Sequence, residues 1–343
     1  MSLQSMYIAF YNRGKKFTQG LVGILLRDVA LSYSGMLITG IIGTIVQSMI
    51  IHQLGRDGYG EYILLITALS FIALMLGLGF DTWILKEGAA HVERLADIIW
   101  QVLLLKGIGL VIVLIAMSMS LIGQVHYTLA FLFGVGSMAC SSFVQTTYAA
   151  LRVHQRNGRV ALYQIIELLL LLAALFATNM AALTVTMLML IRLVVALLMS
   201  AILFKQLRAF GDIIHPHLNL FSALRGDWIY LAAESLSMVY LQMPVLIIGW
   251  LIGVSAIGIF RPAIDLIYIL YTIPNLAFVI ALPLLSRPAI ERRSFLKLIH
   301  FLLIGSLLFG IAAIVGILVM GQRALHSLTG TGFTESYTYL LLL

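Results

Sequence analysis

The sequence predicts an all-α polytopic membrane protein. Three observations carry that reading: a succession of apolar runs about 20 residues long, a one-sided distribution of basic residues between them, and an internal repeat. Of 343 residues, 62% are hydrophobic and 10% charged, and the mean hydropathy is +1.06. An ordinary soluble domain carries about 25% charged residues. A helix crossing a bilayer needs about 20 apolar residues. That ruler predicts helices near 29–51, 62–83, 98–122, 127–150, 160–178, 181–204, 228–252, 257–286 and 297–320, with a tenth beginning near 336.

The stretch Met1 to Leu26 is interrupted by Arg13, Lys15 and Lys16, so it is not expected to be a cleaved signal peptide. It is expected to be a cytoplasmic, interfacial lead-in to the first crossing. Of the 21 Lys and Arg residues, 16 fall in segments on the N-terminal side of the predicted membrane, and only Arg56 and Arg323 fall on the other. Lys106, Arg192 and Arg261 lie inside predicted helices. A wrongly placed helix would scramble this alternation, so the bias supports the helix count and a cytoplasmic N-terminus. The net charge of +7 is spread over short loops, which fits orientation in a membrane and not a nucleic-acid surface. The single cysteine, Cys140, excludes an intramolecular disulfide framework and a Cys-based zinc site.

The short turn Leu54-Gly55-Arg56-Asp57-Gly58-Tyr59-Gly60-Glu61-Tyr62 returns in weaker form as Ile252-Gly253-Val254-Ser255-Ala256-Ile257-Gly258-Ile259-Phe260. Positions 27, 55, 60 and 62 recur at 225, 253, 258 and 260, a constant offset of 198. Internal duplication is a signature of membrane transporters built from structural repeats. It divides the chain into an N-terminal six-helix lobe with its lead-in, residues 1–212, and a C-terminal lobe, residues 213–343, holding helices seven to ten. A full second copy would end near residue 422, so the second lobe is expected to be truncated. The connection between the copies contains His215-Pro216-His217, which is read as a solvated linker because further metal ligands are lacking.

No zinc-protease helix, phosphate-binding loop or nucleophile elbow occurs, so no catalytic residue is assigned. The informative groups are the ionisable ones inside the membrane, where each charge calls for a partner, an aqueous cavity or a function. On the eighth helix, Arg261, Asp265, Tyr268, Thr272 and Asn275 are spaced 4, 3, 4 and 3, which keeps them on one face. The stripe runs about 21 Å along a core about 30 Å thick. It therefore lines a cavity or a helix interface. The alternative is an Arg261–Asp265 pair at i,i+4 with ordinary hydrogen bonds beyond it. Asp227, Tyr230, Glu234 and Ser237 form a second stripe on the seventh helix. Prolines 244, 262, 274 and 283 make these two helices bendable, whereas the first 215 residues contain none. Lys106, Glu167 and Arg192 are candidates for buried pairs.

The Leu54–Tyr62 turn after a helix preceded by basic residues resembles the polysaccharide-biosynthesis flippases of Wzx type. So do Gly253–Phe260 and Pro283-Leu284-Leu285 at the end of the eighth helix. These proteins form part of the multidrug/oligosaccharidyl-lipid/polysaccharide exporter superfamily. The resemblance implies two related six-helix bundles around a central cavity, here with about ten helices and an incomplete second bundle. It implies translocation of an undecaprenyl-diphosphate-linked oligosaccharide across a bacterial inner membrane during cell-surface polysaccharide (O-antigen, lipopolysaccharide) synthesis. Membrane lipids and other polysaccharide-assembly membrane proteins are the further partners, and no nucleic acid is expected. Carried over by position, Arg27, Arg225 and Arg261 would hold the diphosphate, with Arg suited to phosphate geometry. Asp265 or Glu234 would carry a coupling H+ or Na+; no other cofactor and no metal is implied. An ion-coupled multidrug or cation antiporter of the same superfamily would favour acidic groups deep in the first lobe, where the first helix has only Asp28 at its mouth. A membrane-embedded glycan-modifying enzyme would need catalytic groups on a substantial loop. A purely structural membrane subunit is disfavoured by the charged stripes.

Overall fold

In a computed structural model of the chain, the described residues are 3–77, 80–90, 92–120, 125–154, 156–178, 183–208, 236, 239–240, 242–285, 292–330, 333 and 335–342. Among them there is no strand. The helices are α1 (Leu3–Gly77), α2 (Phe80–Ala90), α3 (Leu95–Ser120), α4 (Val125–Val153), α5 (Asn157–Ala177), α6 (Val185–Arg208), α7 (Gln242–Leu251), α8 (Val254–Leu285), α9 (Arg292–Thr329) and α10 (Ser336–Leu342), with a 3-10 turn at Val92–Arg94. Seven stretches of these helices are long and apolar enough to cross a membrane. The protein is a multi-pass membrane protein, and helices are the form this sequence must take. A bilayer core offers no water to the backbone, so each segment has to satisfy its own N–H and C=O groups.

The first two predicted helices belong to one run of 75 helical residues, and the lead-in is helical with them. A straight helix of that length would reach about 110 Å, far beyond a core of about 30 Å. It is broken at one residue, Gly55, whose φ of 66° and ψ of −175° lie outside the helical region. A side chain strains such a backbone, and glycine does not. The expected polar loop therefore shrinks to a single residue. Arg56, Asp57 and Glu61 belong to the first turns of the outgoing limb, where the two carboxylates complement the helix dipole. The break is a reversal. Gln47 and Tyr59, 12 residues apart, share a hydrogen bond, whereas a straight helix would separate them by about 18 Å.

The second turn is built on the same plan. Gly253, with φ 116°, separates α7 from α8. The Ile248 carbonyl accepts from the N–H groups of Ile252 (2.9 Å) and Gly253 (3.1 Å), closing the end of α7. The two turns also meet. A Cβ added to Gly60 would lie 2.1 Å from the Val254 carbonyl oxygen, and one on Gly258 would lie 2.2 Å from the Arg56 carbonyl oxygen. Val254 follows Arg56 by 198 residues, and Gly258 follows Gly60 by the same number. The contact is therefore reciprocal, which is the relation a local two-fold axis between the turns produces.

The largest apolar cluster joins α1, α4, α5, α6, α7 and α8 through residues such as Ile50, Tyr59, Leu69, Leu175, Leu188, Val245 and Ile257. Smaller clusters tie α2, α3, α4 and α6 together, and α8, α9 and α10. Leu307, Leu318 and Val319 on α9 are exposed along with many other large apolar side chains. Lipid is as apolar as they are, so a membrane covers them without cost.

Candidate functional site

The charged groups converge where α8 crosses the folded α1. On α8, Arg261 Nε donates to Asp265 Oδ1 at 2.9 Å, the i,i+4 pair that the spacing allows. The Asp265 carboxylate is not left to that pair. Its Oδ2 accepts from Tyr59 Oη at 3.3 Å and from Gln47 Nε2 at 3.4 Å. Gln47 also donates to Tyr59 Oη. Tyr59 is fully buried, and a buried hydroxyl requires such partners.

Tyr59 and Tyr62 stand one turn apart on the outgoing limb of α1, so they share a face, with ring centroids 6.2 Å apart. Tyr62 Oη accepts from Arg192 Nη1 on α6, and that guanidinium lies 6.0 Å from the Tyr62 ring centre. The aromatic residues of the turn thus act as brackets, one holding the acid of α8 and the other the arginine of α6.

Arg192, Arg261 and Asp265 line one cavity of about 400 Å³, together with Gln47, Ser48 and Tyr62. Gly40 and Gly43 form part of its wall. On the adjoining stretch of α1, Thr39 opens into a second cavity of about 500 Å³, lined by Gln145, Arg152, Asn157, Gln164 and Glu167. Glu167 sits within electrostatic reach of Arg192, so the two cavities are neighbours. Two guanidinium groups at one cavity can take a doubly charged anion, and each can do so through two parallel N–H bonds.

Of the residues singled out by sequence, Arg261 and Asp265 are brought together at the cavity. Tyr268 follows on α8, within electrostatic reach of both. Arg27 lies in α1 and Asn275 in α8, but their side chains are outside the described set, and Arg225, Glu234, His215 and His217 lie outside the described residues altogether. Gln47, Tyr59 and Tyr62 were not among the sequence candidates, although both tyrosines stand inside the repeated turn. Their signal was polar atoms carried at buried positions beside the glycine break. Lys106 has a different fate: its Nζ donates to Asp81 Oδ1 and to Thr146 Oγ1, each at 2.8 Å, inside a junction of α2, α3 and α4.

No curated protein and no solved structure matches the chain. The family described as polysaccharide biosynthesis protein matches residues 25–288, which covers both turns, both arginines of the cavity and Asp265. A match over that much of the sequence, on a chain with seven apolar crossings, shows that this protein belongs to the polysaccharide biosynthesis protein family.

Proposed function

We propose that the protein moves a lipid-diphosphate-linked oligosaccharide across a bacterial inner membrane, from the cytoplasmic leaflet outward, and performs no covalent chemistry. The observation that carries this reading is the pair Arg192 and Arg261 at one intramembrane cavity. A charge at the centre of a membrane helix costs about 3 kcal/mol, and two cations against the single carboxylate of Asp265 leave the cavity with a net positive charge that favours an anionic occupant. Family membership supplies the polysaccharide context. The excess of basic residues on the N-terminal side supports a cytoplasmic N-terminus.

The roles follow from the bonds. Arg261 swings from Asp265 onto the diphosphate, and Asp265 keeps Tyr59 and Gln47 as donors, so no buried carboxylate is stranded. Asp265 is also the group that a coupling H+ or Na+ would neutralise, releasing Arg261. Residues 1–212 and 213–343 act as two lobes moving about the paired turns. We also assign Arg27, Arg225, Glu234, Tyr268 and Asn275 to substrate binding. In a flippase-deficient strain, Arg192→Ala and Arg261→Ala chains should insert at normal levels and lose export at least tenfold. Arg261→Lys should restore part of it, because the charge returns without the fork. Normal surface polysaccharide from both alanine variants would overturn the reading.

A further inference from the structure

The second cavity differs in chemistry from the first. Arg152 and Glu167 bring one formal charge of each sign, and the rest of its polar lining is three amides and a hydroxyl: Gln145, Asn157, Gln164 and Thr39. Among the described residues, the side chains of Gln145, Asn157 and Gln164 take part in no hydrogen bond. Gln145 and Arg152 are seven residues apart on α4, and Asn157 and Gln164 seven apart on α5, so each pair occupies one helix face. From Asn157, at the membrane edge, to Glu167 the polar face extends about 15 Å, of which about 10 Å lies within the crossing predicted to begin near residue 160. Arg152 and Asn157 stand at the membrane edge on the N-terminal side, and the face enters the bilayer at Gln164 and Glu167, where an unengaged amide does not face lipid.

We propose that this cavity is the docking pocket for the glycan portion of the substrate, a neutral or weakly acidic polyhydroxylated sugar. The inference rests on the function proposed above and assigns the sugar a place apart from the diphosphate. A planar amide offers donors and an acceptor side by side, the pattern that neighbouring sugar hydroxyls present in return. Arg152 and Glu167 add charge-assisted bonds of either sense. About 500 Å³ falls in the range of about 300–1,000 Å³ typical of small-molecule sites. A cavity with one charge of each sign does not attract a diphosphate, whereas the one next door, with Arg192 and Arg261 against Asp265 alone, is net positive. Glu167, facing Arg192, marks the border at which an anionic link would pass from one cavity to the other.

The test uses the purified full chain and geranylgeranyl diphosphate, either bare or carrying a hexose, an N-acetylhexosamine or a hexuronic acid. At least one sugar-bearing probe should bind the wild type about tenfold more tightly than the bare one. In the Gln145→Leu, Gln164→Leu double variant that ratio should fall to about one, and the single variants Gln164→Leu and Asn157→Ala should each remove part of it. Arg192→Ala should weaken all probes together. A wild type that binds every sugar-bearing probe no better than the bare one overturns the glycan pocket while leaving the diphosphate site standing. A sugar preference that survives in the double variant also overturns it. A wild type that binds none of the diphosphates overturns the transport reading itself, and this inference with it.

Discussion

Two intramembrane ion pairs invite comparison. Lys106 is 6% exposed and its partner Asp81 38%, and the ammonium donates to Asp81, to Thr146 and, at 3.3 Å, to the Ser142 carbonyl. An ammonium has three protons to donate, so its valence is closed. Thr146 in turn donates toward Asp81 at 3.2 Å, and the whole group lies within α2, α3 and α4. Arg261 and Asp265 are 21% and 24% exposed and line a cavity, and the acid is shared with two side chains of a distant helix. A charge inside a membrane therefore does not mark a site by itself. The first pair has a buried cation whose three protons are all placed, and it ties helices together, whereas the second has a further holder for its acid and space beside its cation.

The comparison breaks most readily on stability. Lys106→Met leaves Asp81 without its cation and should lower the unfolding free energy by about 1–2 kcal/mol, less than for a fully buried acid because Asp81 is 38% exposed, while Asp81→Asn combined with Lys106→Met should recover most of it. The Arg261→Ala, Asp265→Ala chain should keep a thermal midpoint in detergent close to wild type, yet fail to export. Export by that double variant would make the second pair as structural as the first.

A comparable effect sharpens the geometry around the second pair. Arg261 and Asp265 stand on α8 only a few turns beyond Gly258, so the crossing of the two turns sets how closely α8 approaches Tyr59. Gly60→Ala and Gly258→Ala each push a methyl group into a backbone carbonyl and should each cost about 2 kcal/mol. Because the contact is reciprocal, the two losses should be of similar size in chemical unfolding. A large loss at one glycine with none at the other would break the symmetry.

The smallest effect comes from a third pair, Arg56 to Glu335 at 3.6 Å, with side chains 41% and 66% exposed. Solvent screens it, so Arg56→Ala or Glu335→Ala should change stability by less than about 1 kcal/mol. It calibrates the other two, and a loss as large as that for Lys106 would show that exposure is the wrong criterion for ranking them.

Helix identity and crossing were written in the sequence, because in lipid a 20-residue apolar run has no other way to satisfy its backbone. The turns at Gly55 and Gly253 were legible for a related reason: the repeat placed glycine at both breaks, and both have positive φ. The 4-residue spacing of Arg261 and Asp265 put both on one helix face and raised their pairing as an alternative to a cavity lining; in the structure they pair and also line a cavity. What the sequence misjudged was local length, as the expected polar loop became a one-residue break inside α1.

Partner choice was decided only by the tertiary structure. Asp81 and Lys106 are separated by 25 residues, Tyr62 and Arg192 by 130, and Gln47 and Asp265 by 218. No periodicity links such positions. A periodic pattern tells which face of a helix is polar, but the facing helix, its depth and its rotation arise from packing. Those three quantities determine whether a buried charge meets a full set of partners, as Lys106 does with its three acceptors, or borders a cavity, as Arg261 and Arg192 do.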